Sequence, residues 1–245
     1  MINTVPPEER LEIKKKTHKN MMWLGISSIV MMFVGLSSAF VIAKADITWV
    51  HITMPDEFFI SSIFIFISSI TFWLAVRFAK KEKKTISLIF VLSTLLLGLG
   101  FVKFQFAGWS ALKENGMFFV DVQNVKGLIE SGKGTYGEDY TVVDSGTELK
   151  YVDGKFYDSR DDYNNTEVQP NLVTKNNASS YLYLLTGLHV IHLFGGLLSL
   201  IIVSIKSFLG KYTKEDTVGI EVSSIYWHFL DFLWLYLFAL LYFVG

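Results

Sequence analysis

The chain has 245 residues, 51% of them hydrophobic and 16% aromatic, with 22 Lys and Arg against 23 Asp and Glu. Near-balanced charge with no extended basic face argues against a nucleic-acid partner, and the absence of cysteine excludes disulfides, thiolate metal sites and cysteine-based catalysis. The apolar residues gather into long runs almost free of charge, and mean hydropathy stays at +0.39 despite a polar middle, so the sequence reads as that of a membrane protein.

A helix rises about 1.5 Å per residue, so about 20 apolar residues cross about 30 Å of hydrocarbon. Five segments qualify: about Met21 to Ala43, Phe58 to Phe78, Ile86 to Gly108, Ser180 to Ile205 and Val222 to Val244. The expected fold is all-α: five transmembrane helices in a bundle, with a polar, β-containing extramembrane loop between helices 3 and 4. Residues 1–20 form an amino-terminal tail, 21–108 helices 1–3, 109–179 the external loop or cap, and 180–245 helices 4 and 5.

The first run follows Lys14, Lys15, Lys16 and Lys19 but is too long for a signal peptide. Its Gly25, Ser28, Met32, Gly35 and Ala39 recur at three and four residues and predict a small-residue seam for close helix packing. The second run carries Ser61, Ser62, Ser68, Ser69 and Thr71, suited to interhelical hydrogen bonds. On the third, Lys103 is expected to snorkel toward headgroups. In the polar loop, Lys150 to Tyr157 reads as a hairpin turning at Asp153-Gly154, and Ser159 to Asn165 is composed as a cap segment or a disordered one. Trp49, Trp109, Tyr181, Tyr183 and Tyr242 fall near one boundary of the spans, and Trp23, Tyr226 and Trp227 near the other, as in an aromatic belt. Thirteen Lys and Arg sit in the amino-terminal tail, the second-to-third loop and the fourth-to-fifth loop, whereas the first short loop has only Lys44. The amino terminus is therefore expected in the cytoplasm and the carboxyl terminus outside.

Ionisable residues inside a spanning helix cost about 2.5–3.5 kcal/mol each on insertion scales. Glu221, Ser224, His228, Asp231 and Leu235 lie along one face of the fifth helix, and Thr186, His189, His192, Gly196 and Ser199 along one face of the fourth. On one reading His189, His192, His228 and Asp231 form a buried hydrogen-bonded cluster that binds a lipid headgroup or braces a neighbour. On another they are helix–helix glue. Haem ligation fits poorly, since His189 and His192 stand three apart on one helix rather than facing each other.

The run Tyr183-Leu184-Leu185-Thr186-Gly187-Leu188-His189-Val190-Ile191-His192 with Gly195-Gly196 resembles the subunit III family of haem-copper oxidases. So does Glu221 leading to Tyr226-Trp227-His228-Phe229-Leu230-Asp231 and Trp234. Pro55, Ser68-Ser69, Gln105 and Gly108-Trp109 fall in the family's order. The resemblance implies an integral, multi-pass, non-catalytic subunit of an aerobic oxidase in a bacterial cell membrane. By that resemblance the oxidase is cytochrome c oxidase, with subunit III of a quinol oxidase as the alternative and a histidine-bearing membrane cytochrome or small transporter more distant. It implies subunits I and II as partners carrying haem and copper, cytochrome c as indirect electron donor, bound phospholipid and no redox centre in this chain. His189, His192, Glu221, Trp227, His228 and Asp231 would support structure, lipid binding or proton uptake, with no catalytic or metal-binding residue. Many members have seven helices, and this chain resembles a shorter form whose two missing helices a neighbouring subunit would supply. Ile29 stands where the family has a buried glutamate, and Val218 where it has a histidine.

Overall fold

Among the described residues, long apolar stretches rich in Leu, Ile, Phe and Met, broken by few prolines, become five helices: α1 (Pro7–Ala43), α2 (Asp56–Lys80), α3 (Lys84–Glu114), α4 (Asn177–Phe208) and α5 (Val218–Val244). All five are long and apolar enough to cross a membrane, which makes this an integral membrane protein. The computed structural model describes residues 7–44, 54–114, 122–124, 136–137, 141–144, 147–160, 167–168, 173–175, 177–212 and 217–244. Trp49 and residues 161–165 lie outside them. α1 starts well ahead of its apolar run, because the Glu, Lys, Leu and Arg that precede Met21 are good helix formers. Much of the expected amino-terminal tail is thus helical.

Local chemistry sets the helix ends. α2 opens with Asp56 and Glu57 and closes with Arg77 and Lys80, matching charge to the helix dipole at both ends. It terminates at Glu82 (φ 60°), where Glu82 N–H donates to Ala79 O and Lys83 N–H to Phe78 O, both at 3.1 Å. α4 ends in the same way at Gly210 (φ 66°), with Gly210 N–H on Ser207 O and Lys211 N–H on Lys206 O, both at 3.0 Å. This paired closure satisfies carbonyls that would otherwise be orphaned, and it turns the chain tightly between neighbouring helices.

The chain divides into two compact units: Met1–Val34, Phe59–Gln105 and Leu188–Tyr236 in the first, and Gly35–Phe58, Phe106–Gly187 and Leu237–Gly245 in the second. In the first, segments of all five helices pack together. Thr71 and Thr94 hydroxyls bond at 2.8 Å between α2 and α3, Ser199 donates to Ser223 at 2.8 Å between α4 and α5, and Phe33 of α1 meets the His192 ring edge-on. Close approach needs glycine at Gly98 and Gly196, where an added Cβ would stand 2.8 Å from the Trp227 ring and 2.9 Å from Leu230. The small-residue seam expected on α1 is not what packs. Ile26, Phe33, Ser37 and Phe40 are the buried positions, while a Cβ on Gly25 or Gly35 would meet nothing.

In the second unit Gly108 lies under the Phe58 ring, Trp109 Nε1 donates to Thr186 Oγ1 at 3.1 Å, and Phe40 meets Tyr181. Among the described residues, six short strands occupy the loop between α3 and α4: β1 (Val122–Asn124), β2 (Val143–Asp144), β3 (Thr147–Val152), β4 (Lys155–Asp158), β5 (Glu167–Val168) and β6 (Val173–Lys175). They form a two-stranded sheet, β1-β6, and a four-stranded antiparallel sheet in the order β2-β3-β4-β5. The expected hairpin is there: Val152 pairs with Lys155, and Asp153 (φ 51°) and Gly154 (φ 82°) make the two-residue turn. Leu149 and Phe156 are its buried residues, and Tyr136 ties the sheet by donating to Leu149 O at 2.7 Å.

Candidate functional site

The helix-face spacing of α5 sends its polar residues to different neighbours, all within the first unit. Glu221 is 6% exposed; Thr217 Oγ1 donates to it at 2.9 Å, Lys19 of α1 at 2.5 Å and Lys80 of α2 at 3.1 Å. One carboxylate therefore pins α1, α2 and α5 together. Two turns further along, His228 Nδ1 and Ser69 Oγ of α2 hydrogen-bond at 2.6 Å, with Asp231 Oδ2 4.0 Å from the same nitrogen. Asp231 is buried, and neither of its oxygens has a hydrogen-bond partner among the described residues.

On α4, His189 is fully buried and its Nε2–H donates to Leu230 O at 3.1 Å, leaving Nδ1 without a hydrogen-bond partner among the described residues, while the ring packs against Phe101 and Trp234. His192 Nδ1 donates to Leu188 O at 2.7 Å, and its own carbonyl accepts from Tyr226 at 3.1 Å. Of the two readings of His189, His192, His228 and Asp231, a single hydrogen-bonded cluster is not what the described side chains form, and the polar residues of α4 and α5 make three separate contacts. Glu221 meets lysines, His228 and Asp231 meet α2, and the α4 histidines meet backbone carbonyls and rings. Among the described residues no hydrogen bond links His189 or His192 to the side chain of His228 or Asp231.

Trp227 is buried rather than part of a lipid-facing belt, and its indole donates to Ser68 Oγ at 3.0 Å. Trp234 donates likewise to Ser62 Oγ at 2.9 Å. Sequence reasoning missed these pairings, although the signal was available: tryptophans seven apart on α5 answer serines six apart on α2. Lys19 and Lys80 as partners of Glu221 were also missed. Lys80 is the last residue of α2 and Lys19 lies in the basic amino-terminal part of α1, and Glu221 is the acidic residue in the first turn of α5.

A second feature is a cavity of about 500 Å³ in the same unit, between the start of α1, the end of α4 and the start of α5. Lys14, His18, Lys206, Lys211 and Tyr212 line it, with Ser199 and Ser223 also on its wall; Val218 is there too, and among the described residues no carboxylate is. Such a lining suits an anion. Among the described residues no group of three or more His, Asp and Glu stands in metal-binding array.

Residues 164–245, which include α4 and α5, match the family profile described as Cytochrome c oxidase subunit III. The chain is 47% identical over 66 residues to cytochrome c oxidase subunit 3 of Glycine max, covering 27% of this chain and 25% of that protein. It is 40% identical over 65 residues to a probable cytochrome c oxidase subunit 3 of Nocardia farcinica, covering 26% and 32%. It is 32% identical over 96 residues to that of Mycobacterium bovis, covering 39% and 45%. The matched stretch spans between a quarter and under half of these relatives. The similarity to cytochrome c oxidase subunit III thus lies in the carboxy-terminal third of the chain.

Proposed function

We propose that the chain is a non-catalytic subunit III of a haem-copper terminal oxidase, a cytochrome c oxidase, and works by bracing the subunits that reduce oxygen and take up protons. The family match over α4 and α5 carries this reading, and the relatives described above are all cytochrome c oxidase subunits. The geometry supports it, because Thr186, His189, Tyr226, Trp227 and His228 of the shared motif each hydrogen-bond to another helix. Haem and copper would reside in subunits I and II, cytochrome c would deliver electrons indirectly, and this chain would hold no redox centre.

The same reading places the chain in a bacterial cell membrane with its amino terminus in the cytoplasm. Lys19, Lys80, Lys206 and Lys211 would then lie on the inner side, as the positive-inside rule asks. The lysine-lined cavity would open there and hold a phospholipid headgroup. In the family's terms Glu221, His228, Asp231, His189, His192 and Trp227 are support for the fold, not participants in chemistry.

Purification of the tagged chain from its native membrane in mild detergent tests this. The expected result is co-purification of a haem-bearing membrane protein and a copper-binding one, with oxygen-reducing activity in the preparation. A chain that emerges without them, or with haem bound stoichiometrically to itself, would overturn the proposal.

A further inference from the structure

α5 presents a polar atom at a depth where lipid has nothing to offer it. His228 is three residues from Asp231, the midpoint of the span Val218–Val244, so its Cα stands about 4.5 Å from the centre of that span. Its ring is held on one side by Ser69 through Nδ1 and by Phe72, and its side chain is 34% exposed. Nε2 has no partner among the described residues, yet it is not one of the sealed orphan atoms of the interior. Ser69 fixes the ring, so Nε2 points to the surface.

The surroundings of that atom are apolar and open. Phe232 and Leu235 are exposed at i+4 and i+7 on α5, and Ile70 and Trp73 are exposed next to Ser69 on α2. Acyl chains have neither donors nor acceptors, and headgroups begin about 15 Å from the bilayer centre. A polar atom left there in hydrocarbon costs several kcal/mol unless another protein meets it. The lipid-compatible faces of the molecule look different: α4 exposes Ile191, Leu198, Ile202 and Ile205, none of which needs a partner.

We propose that the α2–α5 face centred on His228 is the docking surface for a transmembrane helix of a partner protein. That helix presents a hydroxyl, amide or carboxyl side chain to His228 Nε2. The inference rests on the chain acting within a larger membrane assembly, and it names the face and the recognising atom.

A photo-reactive benzophenone side chain introduced in place of Phe232, with Leu198 replaced in the same way as the comparison, tests it in native membranes. The expected result is one protein adduct from position 232 and lipid adducts from 198. His228→Gln, which can still hydrogen-bond, retains the protein adduct, whereas His228→Leu lowers its yield about three- to thirtyfold, the range for one interhelical polar contact. Lipid adducts alone at 232, or a full yield from His228→Leu, overturn the proposal. If His228→Leu does not accumulate, the adducts of the otherwise unchanged chain decide. A haem-bearing adduct partner upholds the oxidase reading as well. A partner of another kind leaves this inference standing and removes that reading.

Discussion

A charged carboxylate inside an apolar helix is stabilised where cations reach it, and Glu221 is reached by two from different helices. Lys80 is more than half exposed and Lys19 a third exposed, so water screens part of each attraction. Glu221→Gln is expected to lower stability by about 1–2 kcal/mol, less than the loss of a fully buried pair. Melting of the purified protein in detergent would show it, and Lys19→Gln alone should cost less than Glu221→Gln because Lys80 remains. The serines opposite the tryptophans act differently. Ser68→Ala leaves the buried Trp227 N–H without an acceptor, for about 1–3 kcal/mol, whereas Ser68→Thr keeps the oxygen and most of the stability. In the cap, Arg160 holds the Asp158 carboxyl down to about 2 through its side-chain and backbone hydrogen bonds. A depressed folded value means that the pair's contribution is present above the ordinary carboxylate range and is lost as pH falls through about 2. Carboxyl NMR should therefore find Asp158 titrating upward, toward about 3.9, once Arg160 is replaced by Ala.

At the level of elements, the two kinds of glycine separate cleanly. Gly98→Ala drives a Cβ into an indole that its hydrogen bond to Ser68 holds in place, and overpacking of this kind costs about 1–3 kcal/mol. Gly25→Ala and Gly35→Ala on α1 meet open space and are expected to be neutral or stabilising by up to about 1 kcal/mol through helix propensity. Thermal unfolding of the three variants would rank them, and a severe loss from Gly25→Ala would mean that the α1 face is covered in the purified protein. The same contrast explains what could be read from sequence. Five apolar runs of sufficient length gave five helices, and an Asp-Gly pair between alternating residues gave the hairpin, because length and turn chemistry are local properties. Periodicity alone could not say which face of α1 turns inward. Gly25 and Gly35 form as regular a stripe as Phe33 and Phe40, and only the presence of His192 and Tyr181 opposite the latter decides. The polar stripe of α5 was legible as a stripe. Its division among Lys19, Lys80 and Ser69 was not, since those partners are distant in sequence.

At the scale of the whole molecule, charge is segregated although the net charge is only −1. Lys14, Lys206 and Lys211 converge on one cavity with His18 and, among the described residues, no carboxylate, while Glu221 is already engaged by Lys19 and Lys80. Unbalanced positive charge beside an apolar span attracts an anion, and in a membrane the abundant anion at that depth is a phospholipid headgroup. Each lysine near the surface contributes about 1 kcal/mol to attraction of anionic lipid. Removing Lys206 and Lys211 together as glutamines should therefore lower retention of phosphatidylglycerol about thirtyfold, while phosphatidylcholine, which carries no net charge, stays unchanged. Native mass spectrometry of the protein extracted from mixed vesicles of the two lipids would measure both. Equal loss of the two lipids would mean that the cavity binds by shape or acyl chain. No loss of either would mean that its lysines serve only to orient the chain during insertion, and the headgroup site would then have to be sought elsewhere on the subunit.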